Sequence, residues 1–547
     1  MRHRHLLAVL LGSGLLLANV AFARDAAPAV PARSFFRVHL GSAVAQPESG
    51  RLLLFAIAAK DAEAAAKEHG GDGKVDEVDT SPFFPTQTAV AAREVSRLVP
   101  GQAVDVDADE IAFPQAWSQL PAGDYYVQAV LDVHHDYNYS GRDAGDLVSP
   151  VVKMHLPAAA LPELSLDSVL PARDPWQLGS WASPDMQEAL PAARAHERDI
   201  DFASPALTAF WGRPMHMHGR VLLPPGYDAK ATATYPTVYY TQGFGGSNDG
   251  VVGTLVSVYA AMAKGEMPPM IWVFLDESSP TGTTEFADSV NNGPWGTALT
   301  TELIPQLEKT YRMDAKPDGR FLQGHSSGGW ATLWLQTRYP EIFGGTWSTS
   351  PDPSDFHDFT GVDLYAPHAN VYRRADGTAY PLVRDKGKVL ATFQQFAQLE
   401  RVMGPYGGQL ASFEWVFSPR GKDGRPEPMF DRDTGDVDPT VVDYWRDHYD
   451  IAWRLQHHWA ELKPDLDGKI HLYVGTADTF YLDGAAHKLK AVLDGLHAKS
   501  DIRFIPGRTH FDLYRVGDDR QGLLKEITWQ MYRVARPHST LKPRSQT

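Results

Sequence analysis

The 547-residue chain contains no cysteine, which excludes disulfides, thiolate metal sites and a cysteine nucleophile. Beyond its first two dozen residues it has no long apolar run. A helix that crosses a bilayer needs about 20 mostly apolar residues, so no later segment is expected to span a membrane. Basic residues are in deficit, with 51 Lys and Arg against 67 Asp and Glu and a formal charge of −16. A chain of that sign repels polyanions, and no nucleic-acid partner is expected. Without cross-links, stability must come from a packed core. With 43% hydrophobic and 11% aromatic residues the chain can build one, as two domains by its length.

What is present begins at the N-terminus. Arg2 and Arg4 precede an apolar run over residues 6–20, interrupted by Ser13 and Asn19, and Ala21-Phe22-Ala23 offers a small-x-small cleavage site before Arg24. That three-part pattern predicts a secretory signal peptide over 1–23, and a secreted or periplasmic mature protein. Removing it takes away two arginines and leaves the chain more acidic still.

From 24 to 157 the sequence reads as β. Short apolar or alternating runs, as in Arg51-Leu52-Leu53-Leu54-Phe55-Ala56 and Tyr125-Tyr126-Val127-Gln128-Ala129-Val130, are separated by turn clusters such as Pro121-Ala122-Gly123-Asp124. A small β-sandwich-like domain is expected there, with a helical stretch at 62–68. Residues 158–205 are dense in proline, which disfavours helix interiors and central strands, and predict an extended connector. From 206 to 537, strands near 236–240, 270–275, 344–348, 470–474 and 502–505 alternate with helical patterns. Leu299, Leu303, Leu307 and Tyr311 recur every four residues on one helix face. Such alternation predicts an α/β domain with a mostly parallel sheet covered on both sides. The stretch 351–464 breaks the alternation and is too long for an idle loop, so a cap over the site is expected, ending in a helical 442–459. Residues 538–547 form a tail.

The chemistry centres on Gly324-His325-Ser326-Ser327-Gly328, between a short strand and a helical stretch. Glycines at both ends allow a sharp turn that exposes a serine hydroxyl, and the helix start aims N–H groups at developing negative charge. Ser326 is the expected nucleophile, with Ser327 outside the symmetrical frame. A serine needs a base held in one tautomer. Asp478 and His510 each follow the end of a predicted strand, where open α/β sheets carry their sites, with room for one helix between them. Asp483 is the nearest rival to Asp478. A Gly-rich loop, Gly243-Phe244-Gly245-Gly246, follows the strand at 236–240, so the N–H groups of Phe244 and Ser327 are the candidate oxyanion hole.

These motifs, with Val221-Leu222-Leu223-Pro224-Pro225-Gly226-Tyr227-Asp228 and Gly475-Thr476-Ala477-Asp478-Thr479-Phe480-Tyr481, resemble the esterase D-like family of α/β-hydrolases from about 220 to 534. That family includes S-formylglutathione hydrolases, enterochelin, feruloyl and acetylxylan esterases, and mycolyltransferases. The resemblance implies an α/β-hydrolase fold, a serine esterase without cofactor or metal, Asp478 as acid and His510 as base. It also implies that Asn291 and Trp295, like Gly243 and His325, line the substrate site. Two departures stand out: Gln242-Gly243 replaces the His-Gly common in the family, and the 351–464 segment is longer than in compact members. The substrate is expected to be a small-molecule, carbohydrate or siderophore ester. A serine peptidase or acyltransferase would use the same residues, and a binding protein that kept the fold is the reading outside enzymes.

Other features carry less. The acidic run 431–438 has Val442 where an EF-hand loop needs its closing glutamate. His134-His135-Asp136 and Met215-His216-Met217-His218 lack zinc-site spacing.

Overall fold

The computed structural model describes residues 33–42, 44–68 and 73–544; the expected signal peptide lies outside them. The sheet of the C-terminal half has eight strands, β1 (Glu197–Ala203), β2 (His216–Leu222), β3 (Thr237–Thr241), β4 (Ile271–Leu275), β5 (Arg320–His325), β6 (Gly345–Thr349), β7 (Ile470–Gly475) and β8 (Ser500–Ile505). Their spatial order is β1-β2-β4-β3-β5-β6-β7-β8. β2 is antiparallel to both of its neighbours and every other pairing is parallel. This is the α/β-hydrolase arrangement. The central strands are apolar on both faces because helices cover both. Val238, Tyr240, Trp272, Phe274, Phe321 and Trp347 point to one side, and Tyr239, Ile271, Val273, Leu275 and Leu322 to the other.

The predicted connector is not extended. Residues 184–196 form a helix (Pro184–His196) and β1 pairs along its whole length with β2. Two of the prolines open helices, while Pro191 lies inside the first one. Ser183 and Ser204 are N-caps whose side chains accept from Met186 N–H and Leu207 N–H, and the following Pro184 and Pro205 open their helices. At that position the missing N–H costs nothing. Helical structure around Leu299 also differs in detail, since Trp295–Ala298 and Ile304–Thr310 are α-helical and Leu299–Leu303 between them is a π-helical stretch.

N-terminal to this, strands Phe35–Leu40, Ala103–Asp107 and Glu163–Leu166 form one sheet, and Glu48–Ala58, Thr88–Leu98 and Gly123–Asp132 form the centre of a seven-stranded one. Phe36, Val38 and Leu40 of the first share a core with Leu52, Leu54, Val127 and Ala129 of the second. The period of two puts Leu53, Phe55 and Val130 on the opposite face. There they meet Leu399, Val402 and Met403 of helix α1 (Phe393–Met403) in the 351–464 segment. Arg51 seals this contact by donating to the Val402 carbonyl at 2.7 Å.

The 351–464 segment itself folds into a short 3-10 turn, a two-stranded hairpin and four α-helices, the last two being Pro439–Tyr449 and Ile451–Leu466. It is packed into the core rather than hinged above it. Trp330 of helix α2 (Ser327–Arg338) lies 4.8 Å from Phe417, and Trp334 lies 5.6 Å from Tyr449, ring centre to ring centre.

Phe55 is fully buried between the N-terminal sheet and Tyr137, whose ring it stacks on at 5.6 Å. Phe55→Ala should destabilise this region by about 3–5 kcal/mol. A thermal or urea unfolding transition unchanged by the substitution would contradict the packing described.

Candidate active site

β5 ends at His325, and Ser326 turns the chain into α2 with φ 60° and ψ −126°. A side chain in that region is strained by about 1–3 kcal/mol, so neighbours must enforce it. They do so by close approach. A Cβ on Gly324 would lie 2.1 Å from the Gly328 carbonyl oxygen, and one on Gly328 would lie 2.1 Å from that of Gln242. The Ser326 N–H donates to Thr349 O at 3.0 Å, and Ser326 O accepts from Trp330 N–H at 3.0 Å. The serine therefore stands at the C-terminal edge of the central strands, 7% exposed.

Asp478 follows β7 and His510 follows β8. Gly475 allows the two loops to touch, because a Cβ there would fall 2.0 Å from Arg508 O. Asp478 Oδ2 accepts from His510 Nδ1 at 3.0 Å, and Oδ1 accepts from Phe480 N–H at 2.9 Å. Burial alone would raise the Asp478 pKa, but His510 and the Phe480 N–H outweigh it and hold the carboxyl below its usual range. With Nδ1 committed to Asp478, Nε2 is the nitrogen left to accept a proton. Asp483, the rival acid, instead accepts from Arg384 Nη2 at 2.9 Å.

Ser326, His510, His325, Gly243 and Phe244 line one cavity of about 380 Å³. The Phe244 N–H, among the described residues, donates to no other group of the chain. The His325 ring packs at a tilt against His510, with ring centres 4.4 Å apart. Burial, aided by the neighbouring His510 ring, pushes His325 down to about 3, so it is neutral near pH 7.

Asn291 and Trp295 are not in this cavity. Asn291 Nδ2 donates to Ser418 O at 2.8 Å inside the protein. Trp295 donates to Asn292 O at 3.0 Å and borders a separate pocket beside Trp211 and Trp415. Asn291 thus ties its loop to the 351–464 segment, and Trp295 braces the same loop. The acidic run 431–438 closes on itself, with Asp438 capping the helix Pro439–Tyr449, and among the described residues no group of three or more His, Asp or Glu could hold a metal ion.

Three features had no sequence signal. Phe83 and Tyr139, from the N-terminal sheet domain, line the cavity with Phe396, Leu399 and Met403 of α1. Phe83 packs on Phe480 at 5.6 Å and on Phe511 at 5.4 Å, and both of those rings flank His510. Behind the turn lie three buried carboxyls, Glu277, Glu285 and Asp352. Asp352 accepts from Ser327 Oγ at 2.5 Å. Burial first, and then mutual repulsion, raises Glu277 and Glu285 well above the usual carboxylate range, and burial pushes Asp352 up to about 6. The raised values keep Glu277 and Glu285 protonated over a wider pH range than free carboxyls.

Residues 213–518 match the model of the Esterase family, described as "Putative esterase". The iron(III) enterobactin esterase of Dickeya dadantii (strain 3937) is 30% identical over 131 residues, which are 23% of this chain and 30% of that relative. The chain thus spans less than a third of that curated relative. Among solved structures, a ferulic acid esterase aligns at 15% identity and a TM-score of 0.36, over 62% of this chain and 98% of its own. The S-formylglutathione hydrolase of Agrobacterium tumefaciens aligns at 14% identity and a TM-score of 0.36, over 62% and 95%.

Because the Asp352 pKa is raised on folding, the folded state binds a proton that the unfolded chain has released between about pH 4 and 6. Its contribution therefore lowers stability as pH rises through that window and levels off above it. Asp352→Asn keeps an acceptor for Ser327 and removes the ionisation. The variant's melting temperature should gain on wild type from pH 4 to 6.5, by the equivalent of on the order of 3 kcal/mol; a pH-independent difference would contradict it. The family model covers more than half of the chain, and this chain belongs to the Esterase family.

Proposed function

We propose that the chain is a serine esterase acting through a covalent acyl-enzyme. Ser326 Oγ attacks the ester carbonyl while His510 Nε2 takes its proton, and the carbonyl oxygen becomes an oxyanion facing the N–H groups of Phe244 and Ser327. His510 then passes the proton to the departing alcohol. Water, deprotonated by His510, attacks the acyl carbonyl, and the proton returns to Ser326 as the acid leaves. Asp478 fixes the His510 tautomer and stabilises the imidazolium formed in each half. The observation that carries this reading is the 3.0 Å bond from His510 to buried Asp478, beside a serine held at positive φ in the same cavity.

The cavity wall favours an ester with a bulky apolar or aromatic part, since Phe83, Phe396, Phe480 and Phe511 all border it. A siderophore, carbohydrate or other small-molecule ester fits that description. In the same reading, residues 1–23 are a cleaved export signal and the protein acts in the periplasm or outside the cell. No described helix is long and apolar enough to cross a membrane. The paired N-terminal sheets are read as a β-sandwich-like domain ahead of the hydrolase domain, with 351–464 as its cap.

A p-nitrophenyl ester series, assayed with the mature protein and with Ser326→Ala, tests the reading. Ser326→Ala should lower kcat by about 10⁴-fold or more while leaving the fold intact. Near wild-type turnover in a correctly folded Ser326→Ala protein would sink the assignment.

A further inference from the structure

One residue of the N-terminal domain touches three successive residues of the loop proposed to hold the oxyanion. Tyr139 lies in the helical turn Tyr137–Ser140 and is 8% exposed. Its ring packs edge-on against the Phe244 ring, centres 5.0 Å apart. Its backbone carbonyl oxygen lies 3.2 Å from where a Cβ on Gly245 would stand, and Gly245 itself is at φ +80°. Its hydroxyl donates to the Gly246 carbonyl at 2.8 Å.

The loop has little else to hold it. Gly243, Gly245 and Gly246 leave the backbone free of side-chain restraint, and the internal bonds are Gly246 N–H to Gly243 O at 2.9 Å and Gln242 Nε2 to Ser247 O at 2.9 Å. Tyr139, by contrast, is anchored from both sides. Asn138 Nδ2 donates to the Glu400 and Gly404 carbonyls at 3.0 Å each, and Tyr137 donates to Asp79 at 2.7 Å. The turn is thereby fixed to α1 on one side and to the N-terminal domain on the other.

Oxyanion stabilisation depends on donors already aimed at the place where charge develops, because reorienting them during reaction consumes the gain. We propose that Tyr139 is the positioning residue of this loop: through the Gly246 carbonyl and the Phe244 ring it fixes the direction of the Phe244 N–H. The proposal rests on the serine esterase reading above. It makes the N-terminal domain a working part of the active site, although that domain supplies none of the reacting groups.

The test compares Tyr139→Phe, Tyr125→Phe and Ser326→Ala in the full chain with one p-nitrophenyl ester. Tyr125 is a matched control, buried in the N-terminal domain and donating to Pro121 O at 2.8 Å away from the cavity. Tyr139→Phe should lower kcat about ten-fold, with KM within about two-fold, because misdirection weakens transition-state contacts more than ground-state binding. Labelling of Ser326 by a fluorophosphonate should slow in parallel, and Tyr125→Phe should leave both rates unchanged. Wild-type kcat in Tyr139→Phe, a loss confined to KM, or an equal loss in Tyr125→Phe would overturn the positioning role while Ser326→Ala remained inactive. Activity surviving in Ser326→Ala would instead overturn the esterase mechanism and this proposal with it.

Discussion

The structure depends on a backbone held where it does not wish to be. Ser326 sits at φ 60° because strand β3 and helix α2 come too close for any side chain at Gly324 or Gly328. The strain of about 1–3 kcal/mol is offset by the surrounding packing. Trp330 and Trp334, a turn and two turns along α2, are sunk into the core of the 351–464 segment. That segment is thus a clamp on the helix that carries the strained turn. Its removal would expose Trp330, Trp334, Leu472 and Val474 together, so it is structural as well as a wall of the cavity.

What the sequence made legible follows from which constraints are local. A turn that must bend sharply writes its glycines into five consecutive residues, and the strand ends before Asp478 and His510 write theirs as apolar runs closed by Gly475 and Gly507. The central sheet was readable for the same reason. β1 and the helix before it were not, since proline density points to extended chain, whereas Ser183-Pro184 and Ser204-Pro205 are caps that make those prolines compatible with helix starts. Asn291 and Trp295 show the limit of carrying roles by resemblance, because the long 351–464 segment engages that loop through Ser418 and leaves it packed rather than open. Tyr139 and Phe83 were beyond reach: their partners Gly246 and Phe511 are far along the chain, and no local pattern encodes such a meeting.

The N-terminal domain grips the site at two places far apart in the chain. Through Tyr139 it bears on the loop after β3, and through Phe83 on the rings around His510. The loops after β7 and β8 already bond to each other, as by Ala477 N–H to Arg508 O at 3.0 Å, and Phe83 and Tyr139 tie that pair and the loop after β3 to one outside body. Residues of the N-terminal domain, among them Phe83 and Tyr139, are in this chain one wall of the cavity.

The contact between Arg51 and Val402 links positions 351 residues apart. During synthesis the strand Glu48–Ala58 emerges long before helix α1, so the face carrying Leu53 and Phe55 must wait uncovered for most of the chain to follow. Long-range closure of this kind slows folding and leaves apolar strands open to aggregation. A chain threaded unfolded through a membrane pore from its N-terminus would meet the same interval on the far side. One that folded as it left the ribosome would need the exposed face shielded until its partner arrived.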